Sequence, residues 1–167
     1  ETLYVVARYD RYFDENGRVR RIHQEDFCQV MALMAENKYE AEGGPGLADC
    51  FSVIDRFSSR PALDRKALLE WTAFNYFICN ADAHAKNLSM LLSAEGARLA
   101  PFYDLMCTGV YEGIHKRLAM KIGKENRPEW IQSRHWQRLA ENAGIRPSFV
   151  RRTVMNMAAR IEVAAKD

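Results

Sequence analysis

Two spacings of apolar residues divide the chain into short strand-like runs and longer helical segments. Apolar runs at residues 3–7 and 19–22 flank the polar connection DENG at residues 14–17. Because Asn and Gly tolerate the positive φ angles of tight turns, we predict a short β-hairpin here. Residues 24–34 carry apolar positions at helical spacing and two acidic residues where the dipole of a first helical turn favours them, so a helix is predicted there.

The middle of the chain is predicted to be helical after a glycine-rich break. The run EGGPG at residues 42–46 fits neither glycine-rich pattern of nucleotide-binding loops, so we interpret it as a plain connection. A helix is predicted over residues 47–57, and Pro61 opens another at a position that suits a first helical turn. This third helix is apolar almost all round over residues 67–79, which predicts burial on several faces and a central place in the fold.

Short strands and two more helices complete the predicted element order. A polar loop at residues 80–87 leads into an apolar run at residues 88–92, a turn at Gly96 and a second run at residues 98–100, which together indicate loop, strand, turn and strand. From Trp130 onward amphipathic periods indicate two helical segments. The predicted fold class is therefore mainly α (α+β), with small β-hairpins.

Composition and charge indicate an ordinary globular protein. Hydrophobic residues make up 48% and charged residues 28% of the chain, and the net charge of +2 predicts no strong attraction to nucleic acid or acidic lipid. The longest apolar stretch, residues 71–79, is too short to cross a bilayer, so no membrane association is expected. The four cysteines are widely spaced among apolar neighbours, which favours buried free thiols in a reducing compartment, and hence a cytoplasmic location, over a disulfide or zinc framework.

Three oxygen-bearing side chains have the order expected of a phosphate-transfer site. Asp82 and Asn87 have the Asp-x-x-x-x-Asn spacing of a kinase catalytic loop, in which the Asp orients the substrate hydroxyl and the Asn holds magnesium. Asp104 follows the predicted hairpin where the metal-binding Asp of kinases belongs. Magnesium prefers carboxylate, amide and phosphate oxygens, so Asn87 and Asp104 are the predicted metal ligands.

The surrounding motifs resemble one family of bacterial kinases. NADAHAKN at residues 80–87, followed by PFYD at residues 101–104, is similar to the paired motifs of the HipA-like kinases, the toxin components of HipBA toxin–antitoxin systems. RYDR at residues 8–11, QEDFCQ at residues 24–29 and KYE at residues 38–40 with its GGPG run also resemble that family, in the same order. The resemblance covers most of residues 1–140.

The resemblance implies a serine/threonine-protein kinase that uses ATP and magnesium, with residues 1–167 forming its C-terminal catalytic lobe. Asp82 would be the catalytic residue. Ala7, Arg8 and Tyr9 would form a hinge whose backbone contacts adenine. Ala7 stands where family members commonly have an acidic residue. The remaining residues implied to contact ATP or magnesium are His84, Ala85, Lys86, Asn87, Tyr103 and Asp104.

The first residues of the chain suggest that it is part of a longer protein. It has neither an initiating Met nor a signal-peptide pattern and opens in a strand-like run, so we expect it to be part of a longer protein whose N-terminal lobe lies elsewhere. This lobe would then bind nucleotide weakly by itself. The implied partners are a protein substrate, such as an aminoacyl-tRNA synthetase or another translation factor, and a DNA-binding, HipB-like antitoxin, with DNA contact only within that complex.

Alternative interpretations stand beside the kinase hypothesis. Asp82 and Asn87 could simply cap a turn, and Tyr103 could be a core residue. Asp82 and His84 also match the Asp-x-His pair that supplies the first metal ligands of some metallophosphoesterases. Such sites need further histidines in Asn-His and His-x-His sequences, and none of the other three histidines stands in one. A loose basic cluster comprises Lys116, Arg117, Lys121, Lys124 and Arg127. We interpret it as a solvated surface, and the alternative is contact with DNA phosphates. The alternative function is a non-catalytic module that binds an antitoxin or DNA.

Overall fold

A β-hairpin opens the fold, although its first strand is not the one predicted. The computed structural model describes residue 3, residues 5–113 and residues 115–166. Strand β1 (Arg11–Phe13) pairs antiparallel with β2 (Val19–Arg21), and the Asp14 carboxylate accepts the Arg18 N–H at 2.9 Å across the predicted turn. The strand predicted at residues 3–7 is wrong for its described residues, which have no strand partner; Tyr4 lies outside the described residues.

The helix predicted over residues 24–34 is only partly present. Strand β3 (His23–Asp26) occupies its first part, and a single helical turn, α1 (Phe27–Val30), follows. The Asp26 carboxylate caps α1 by accepting the Gln29 N–H at 2.9 Å. The segment forms a strand because it pairs with β4 (Ser89–Ser93), which is distant in the sequence, and local periodicity does not indicate such a pairing.

A second, three-stranded antiparallel sheet has the order β3–β4–β5. Strand β4 (Ser89–Ser93) and strand β5 (Gly96–Leu99) form the hairpin predicted from the sequence, with Met90 opposite Leu99. Strand β3 pairs with the other edge of β4, with Asp26 opposite Ser89. This sheet therefore joins the N-terminal part of the chain to the loop that precedes β4.

Four longer helices build the rest of the fold. Helix α2 (Leu47–Phe57) has the predicted bounds, and α3 (Pro61–Phe77) begins at the predicted proline. Helix α4 (Ser133–Asn142) and α5 (Pro147–Ala164) match the C-terminal predictions, except that Trp130 ends a short 3₁₀ turn before α4. Helix α3 contacts both α2 and α5 and buries residues on several faces, which agrees with the central position predicted for it.

An ion pair between the buried Asp64 and the half-buried Arg98 fixes the second sheet on α3. The Asp64 carboxylate, on α3, accepts the Arg98 Nη2–H at 2.7 Å, the Leu99 N–H at 3.0 Å and the Ser58 hydroxyl at 2.5 Å. Although burial of Asp64 opposes ionisation, the hydrogen bonds from Arg98, Ser58 and Leu99 lower its pKa. Strand β5 is therefore held in register against the central helix.

The cysteines divide into two classes. Cys28 and Cys50 are buried, as predicted, whereas Cys79 and Cys107 are exposed, so the prediction of burial is wrong for these two. Both exposed cysteines lie in irregular segments next to Thr108, where an apolar sequence neighbourhood does not become core. Across the described ranges no helix is long and apolar enough to cross a bilayer.

Candidate active site

The loop between α3 and β4 is shaped by a buried asparagine. Asn80 donates from Nδ2 to Asn75 Oδ1 at 2.8 Å and to the Asp104 carbonyl at 3.3 Å. Its Oδ1 accepts the Asp82 N–H at 3.1 Å. One carboxamide therefore links the end of α3, the backbone of Asp82 and the segment after β5, because a buried amide must satisfy its donors and acceptor.

A buried threonine makes a second link between the same segments. The Thr108 hydroxyl accepts the Ala81 N–H at 2.7 Å and donates to the Cys79 carbonyl at 2.9 Å. Cys79 has a φ of 53°, a left-handed conformation that turns the chain sharply after α3. Together the two links hold the loop of Asp82 against the segment that follows Asp104.

The carboxylate of Asp82 reaches solvent at the surface of this loop. Its side chain is 51% exposed, and its Oδ1 accepts the Tyr39 hydroxyl at 2.6 Å. Burial and the neighbouring carboxylate of Asp82 raise the pKa of Tyr39 to about 12, so the phenol stays protonated and donates. The other carboxylate oxygen of Asp82 has no hydrogen bond within the described residues.

His84 is a buried, neutral neighbour of Asp82. Its ring meets the Tyr39 ring edge-on at 5.2 Å between centroids, and its Nε2 lies 3.7 Å from Asp82 Oδ1, too far for a hydrogen bond. Burial, with the Lys38 ammonium second, lowers the pKa of His84 despite the nearby carboxylates. Its Nδ1 is buried without a hydrogen-bond partner among the described residues.

The structure brings the two predicted magnesium ligands together. Asn87 donates from Nδ2 to Asp104 Oδ2 at 2.7 Å, and its Oδ1 accepts the His84 N–H at 3.0 Å. Asp104 is exposed and has a φ of 56°. The second Asp104 oxygen and the second lone pair of Asn87 Oδ1 are hard oxygen donors, so the pair suits magnesium, which retains water and phosphate ligands beside a few protein oxygens.

A cleft of about 460 Å³ gathers most of the predicted nucleotide residues that lie outside this pair, but His84 and Ala85 do not line it. Its walls combine the segment of Ala7, Arg8 and Tyr9 with Lys86 and Tyr103. The exposed Val6 also lines this cleft, which shows where part of the mispredicted N-terminal strand goes.

Hydrogen bonds order the floor of the cleft. The Tyr103 hydroxyl donates to the Lys86 carbonyl at 2.6 Å and lies 2.7 Å from Ser89 Oγ. Burial raises the pKa of Tyr103 to about 12, so it is a neutral donor. The Lys86 ammonium donates to Asp26 Oδ2 at 3.0 Å. Ala85 is wholly buried and does not line the cleft.

A smaller pocket, of about 270 Å³, opens beside Asp82. Asp82 and Asp104 lie on its wall with Tyr39, and Met106 and His115 are on the side that comes after Asp104 in the chain. The two acidic residues of the candidate site therefore open onto a common space outside the 460 Å³ cleft.

Several residues of the site were not found by sequence analysis. Tyr39 contacts Asp82 across 43 residues of chain, and Asp26 contacts Lys86 across 60. Thr108 links the two site loops from a segment without any recognised motif. Tyr39 falls in the KYE motif that resembles the HipA-like family, but nothing local in the sequence indicates its contact.

Two of the five residues in the basic cluster have acidic partners. The Lys121 ammonium lies 3.3 Å from Glu40, and Arg127 pairs with Glu125 at 2.8 Å and covers the Trp130 ring. The other three, Lys116, Arg117 and Lys124, are exposed. The cluster is therefore not one uniform cationic surface.

Comparison with known proteins gives one consistent family. The family model described as the HipA-like C-terminal domain matches residues 1–165. "Putative kinase Y4mE" of Sinorhizobium fredii is 46% identical over 153 residues, which cover 92% of this chain and 36% of that protein. "Serine/threonine-protein kinase toxin HipA" of Shewanella oneidensis is 30% identical over 170 residues, covering 95% of this chain and 39% of that protein.

A solved structure gives the same result for the fold. A chain of the complex of Shewanella oneidensis HipA, HipB and operator DNA superposes with a TM-score of 0.84 at 28% identity, covering 92% of this chain and 39% of that chain. This chain thus spans less than half the length of the relatives it matches. With its fold and the order of its site motifs, it belongs to the HipA-like C-terminal domain family.

Proposed function

We propose that this chain is the catalytic lobe of a serine/threonine-protein kinase that acts when joined to an N-terminal lobe. The proposal rests on the joint placement of Asp82, Asn87 and Asp104. Asn87 Nδ2 lies 2.7 Å from Asp104 Oδ2, and Asp82 and Asp104 line the same pocket. That arrangement matches the requirements of phosphoryl transfer, which depends mainly on positioning and on neutralising charge.

Each of the three residues has a distinct role in the proposed reaction. Asp82 orients the substrate Ser or Thr hydroxyl and accepts its proton as the new O–P bond forms and ADP leaves. Asn87 and Asp104 would hold a magnesium ion, which would neutralise charge on the ATP phosphates. The hydrogen bond between Asn87 and Asp104 keeps both oxygen donors in place.

The cleft of about 460 Å³ is the proposed adenosine side of the site. The backbone of residues 7–9 would meet the adenine base, and Lys86 and Tyr103 would lie next to the nucleotide. Lys86 is held by Asp26 at 3.0 Å, so its ammonium is already directed along the wall of the cleft. His84 and Ala85 would act by shaping the loop, because both are buried.

The biological setting is proposed from the relatives. We infer a toxin of a toxin–antitoxin system, located in the cytoplasm, that phosphorylates a protein such as an aminoacyl-tRNA synthetase or another translation factor. A solved relative is assembled with HipB and operator DNA, which supports a DNA-binding, HipB-like antitoxin as partner. The exposed cations Lys116, Arg117 and Lys124 are candidates for DNA phosphate contact within such a complex.

The test uses a protein that carries this chain together with the N-terminal lobe of its kind. Calorimetry should show magnesium-dependent ATP binding, and Asp104→Ala should remove the magnesium dependence. Asp82→Ala and Asp104→Ala should abolish phosphate transfer while the fold stays intact by circular dichroism. Glu162→Gln, at an exposed position near the end of α5 that lines neither pocket of the site, is the control and should transfer normally.

The same experiment separates the kinase from the alternative of a non-catalytic module that binds an antitoxin or DNA. Near-normal turnover in Asp82→Ala or Asp104→Ala would rule out the assigned site. An absence of ATP binding in the longer protein would rule out catalysis and leave the binding module.

A further inference from the structure

We infer that Tyr39 is a positioning residue for Asp82, holding that carboxylate in the orientation that receives the substrate hydroxyl. The inference deepens the proposed kinase function and rests on it. Tyr39 lies in the KYE motif, but no catalytic or nucleotide contact was predicted for it.

The contact between the two side chains is short and directional. The Tyr39 hydroxyl donates to Asp82 Oδ1 at 2.6 Å. Since the pKa of Tyr39 is about 12, the phenol does not lose its proton at neutral pH, and Asp82 must be the acceptor. One carboxylate oxygen is thereby occupied, and the other has no hydrogen bond among the described residues, while Asp82 lines the pocket of about 270 Å³.

Asp82 needs such a partner because it is not held by packing. Its side chain is 51% exposed, whereas the adjacent His84 is 6% exposed at the side chain. An exposed carboxylate samples several rotamers, and each misdirected rotamer lowers the fraction of encounters in which the hydroxyl is correctly oriented. A fixed donor on Oδ1 restricts that rotation without covering Oδ2.

Tyr39 is itself held by a tight loop. Its carbonyl accepts the N–H groups of Glu42 at 3.0 Å and Gly44 at 2.9 Å. A Cβ on Gly44 would lie 2.7 Å from the Tyr39 carbonyl oxygen and would also clash with the Asn37 carbonyl. Part of the glycine-rich run, interpreted above as a plain connection, is therefore required for the backbone to close around Tyr39.

The residues next to Tyr39 anchor the loop to the rest of the fold. The Glu40 carboxylate accepts the Lys121 N–H at 2.6 Å and lies 3.3 Å from the Lys121 ammonium. The Tyr39 ring packs edge-on against His84 and lies 4.8 Å under the Lys38 ammonium. Backbone, ring and neighbouring side chain all fix the phenol, which is what a positioning residue requires.

Tyr39 could instead inhibit the site by blocking access of the substrate to Asp82, and this role predicts the opposite effect of removing the hydroxyl. If the phenol occupied the place of the substrate hydroxyl, removing it would increase turnover. The positioning role predicts a decrease. The free Oδ2 and the open pocket beside Asp82 favour positioning.

The decisive variant is Tyr39→Phe in the two-lobed protein, since it removes the hydroxyl and keeps the ring on His84. We expect kcat to fall about tenfold to a hundredfold, with KM for ATP unchanged within about twofold and an unchanged Tm. Tyr76→Phe is the matched control: Tyr76 is also half-buried, its hydroxyl has no hydrogen bond within the described part of the chain, and kcat should not change.

A double-mutant cycle shows whether the effect passes through Asp82. In an Asp82→Asn background, Tyr39→Phe should lower the residual rate far less than it does in the wild type. Gly44→Ala, which displaces the loop but keeps the phenol, should reproduce the selective loss of kcat. It provides the test if Tyr39→Phe does not fold.

The outcomes separate this inference from the proposed function. If transfer depends on Asp82 but Tyr39→Phe keeps the wild-type kcat or exceeds it, the positioning role is wrong and the kinase assignment stands. If losses from Tyr39→Phe and Asp82→Asn are additive, Tyr39 does not act through Asp82. If the wild type shows no transfer that depends on Asp82, the proposed function itself fails.

Discussion

The carboxamide of Asn87 donates to the Asp104 carboxylate at 2.7 Å, joining two segments that are 17 residues apart in the chain. Between them runs the β4–β5 hairpin, which carries the chain out and back so that both residues lie at the same end. The pair is supported on the other side by the His84 N–H. The predicted magnesium ligands are therefore linked to each other before any metal is considered.

Removing the Asn87 side chain should destabilise the protein. Asn87→Ala removes one of the two acceptors of the buried His84 N–H, which keeps the Asp82 carbonyl at 3.0 Å. The substitution also frees the Asp104 carboxylate. The free energy of unfolding should therefore fall by about 1–3 kcal/mol. Urea unfolding followed by circular dichroism measures this. Asn142→Ala, at the exposed end of α4, should change it by less than about 0.5 kcal/mol. Equal effects in the two variants would contradict the role given to this pair.

Protonation of His84 should weaken the fold in mild acid. Burial lowers its folded-state pKa below 6.5, with Lys38 adding to the shift and Asp82 and Asp104 opposing it. The unfolded state then binds more protons than the folded state, so stability falls as the pH drops below about 6.5, until the folded-state pKa is passed.

The measurement for His84 is the free energy of unfolding between about pH 8 and about pH 5. The decrease should be smaller in His84→Gln than in the wild type. His23→Gln, at an exposed position, should keep the wild-type decrease. An identical pH dependence in the wild type and His84→Gln would refute the prediction.

Asp64 should be among the residues most important for stability. Asp64→Asn weakens the ion pair between the buried Asp64 and the half-buried Arg98 and alters the acceptor for Ser58 and Leu99. The free energy of unfolding should therefore fall by about 2–4 kcal/mol. The matched control is Asp55→Asn: Asp55 pairs with Arg65 on the surface, where an ion pair contributes at most about 1 kcal/mol. Chemical denaturation of both variants tests the difference.

The four cysteines should react with a thiol reagent in two classes. Cys79 and Cys107 are exposed and should be labelled in the folded protein. Cys28 and Cys50 are buried, and burial raises the pKa of both thiols, so they should react only after unfolding. Labelling with Ellman's reagent, with and without denaturant, counts each class. Rapid labelling of all four in the folded state would disagree with the structure.

Local signals in the sequence were sufficient for much of the fold. The bounds of α2, the start of α3 at Pro61 and the β4–β5 hairpin were predicted, because each depends on periodicity or on residues that favour a turn or a first helical turn. The family motifs also placed Asn87 and Asp104 in one site. The strand predicted at residues 3–7 and the helix predicted over residues 24–34 failed. In the second case β3 pairs antiparallel with β4, with Gln24 opposite Leu91, and this pairing between distant segments overrides the local helical spacing.

Most of the helices, the β4–β5 hairpin and the identity of the site motifs were thus determined by the sequence alone, since they depend on residues close together in the chain. Tertiary structure decided which residues surround those motifs. Tyr39 reaches Asp82 across 43 residues, and Thr108 reaches Ala81 across 27. Such contacts form only when tertiary packing and hydrogen bonds offset the entropy cost of closing the loop between distant segments, and that balance has no local pattern in the sequence.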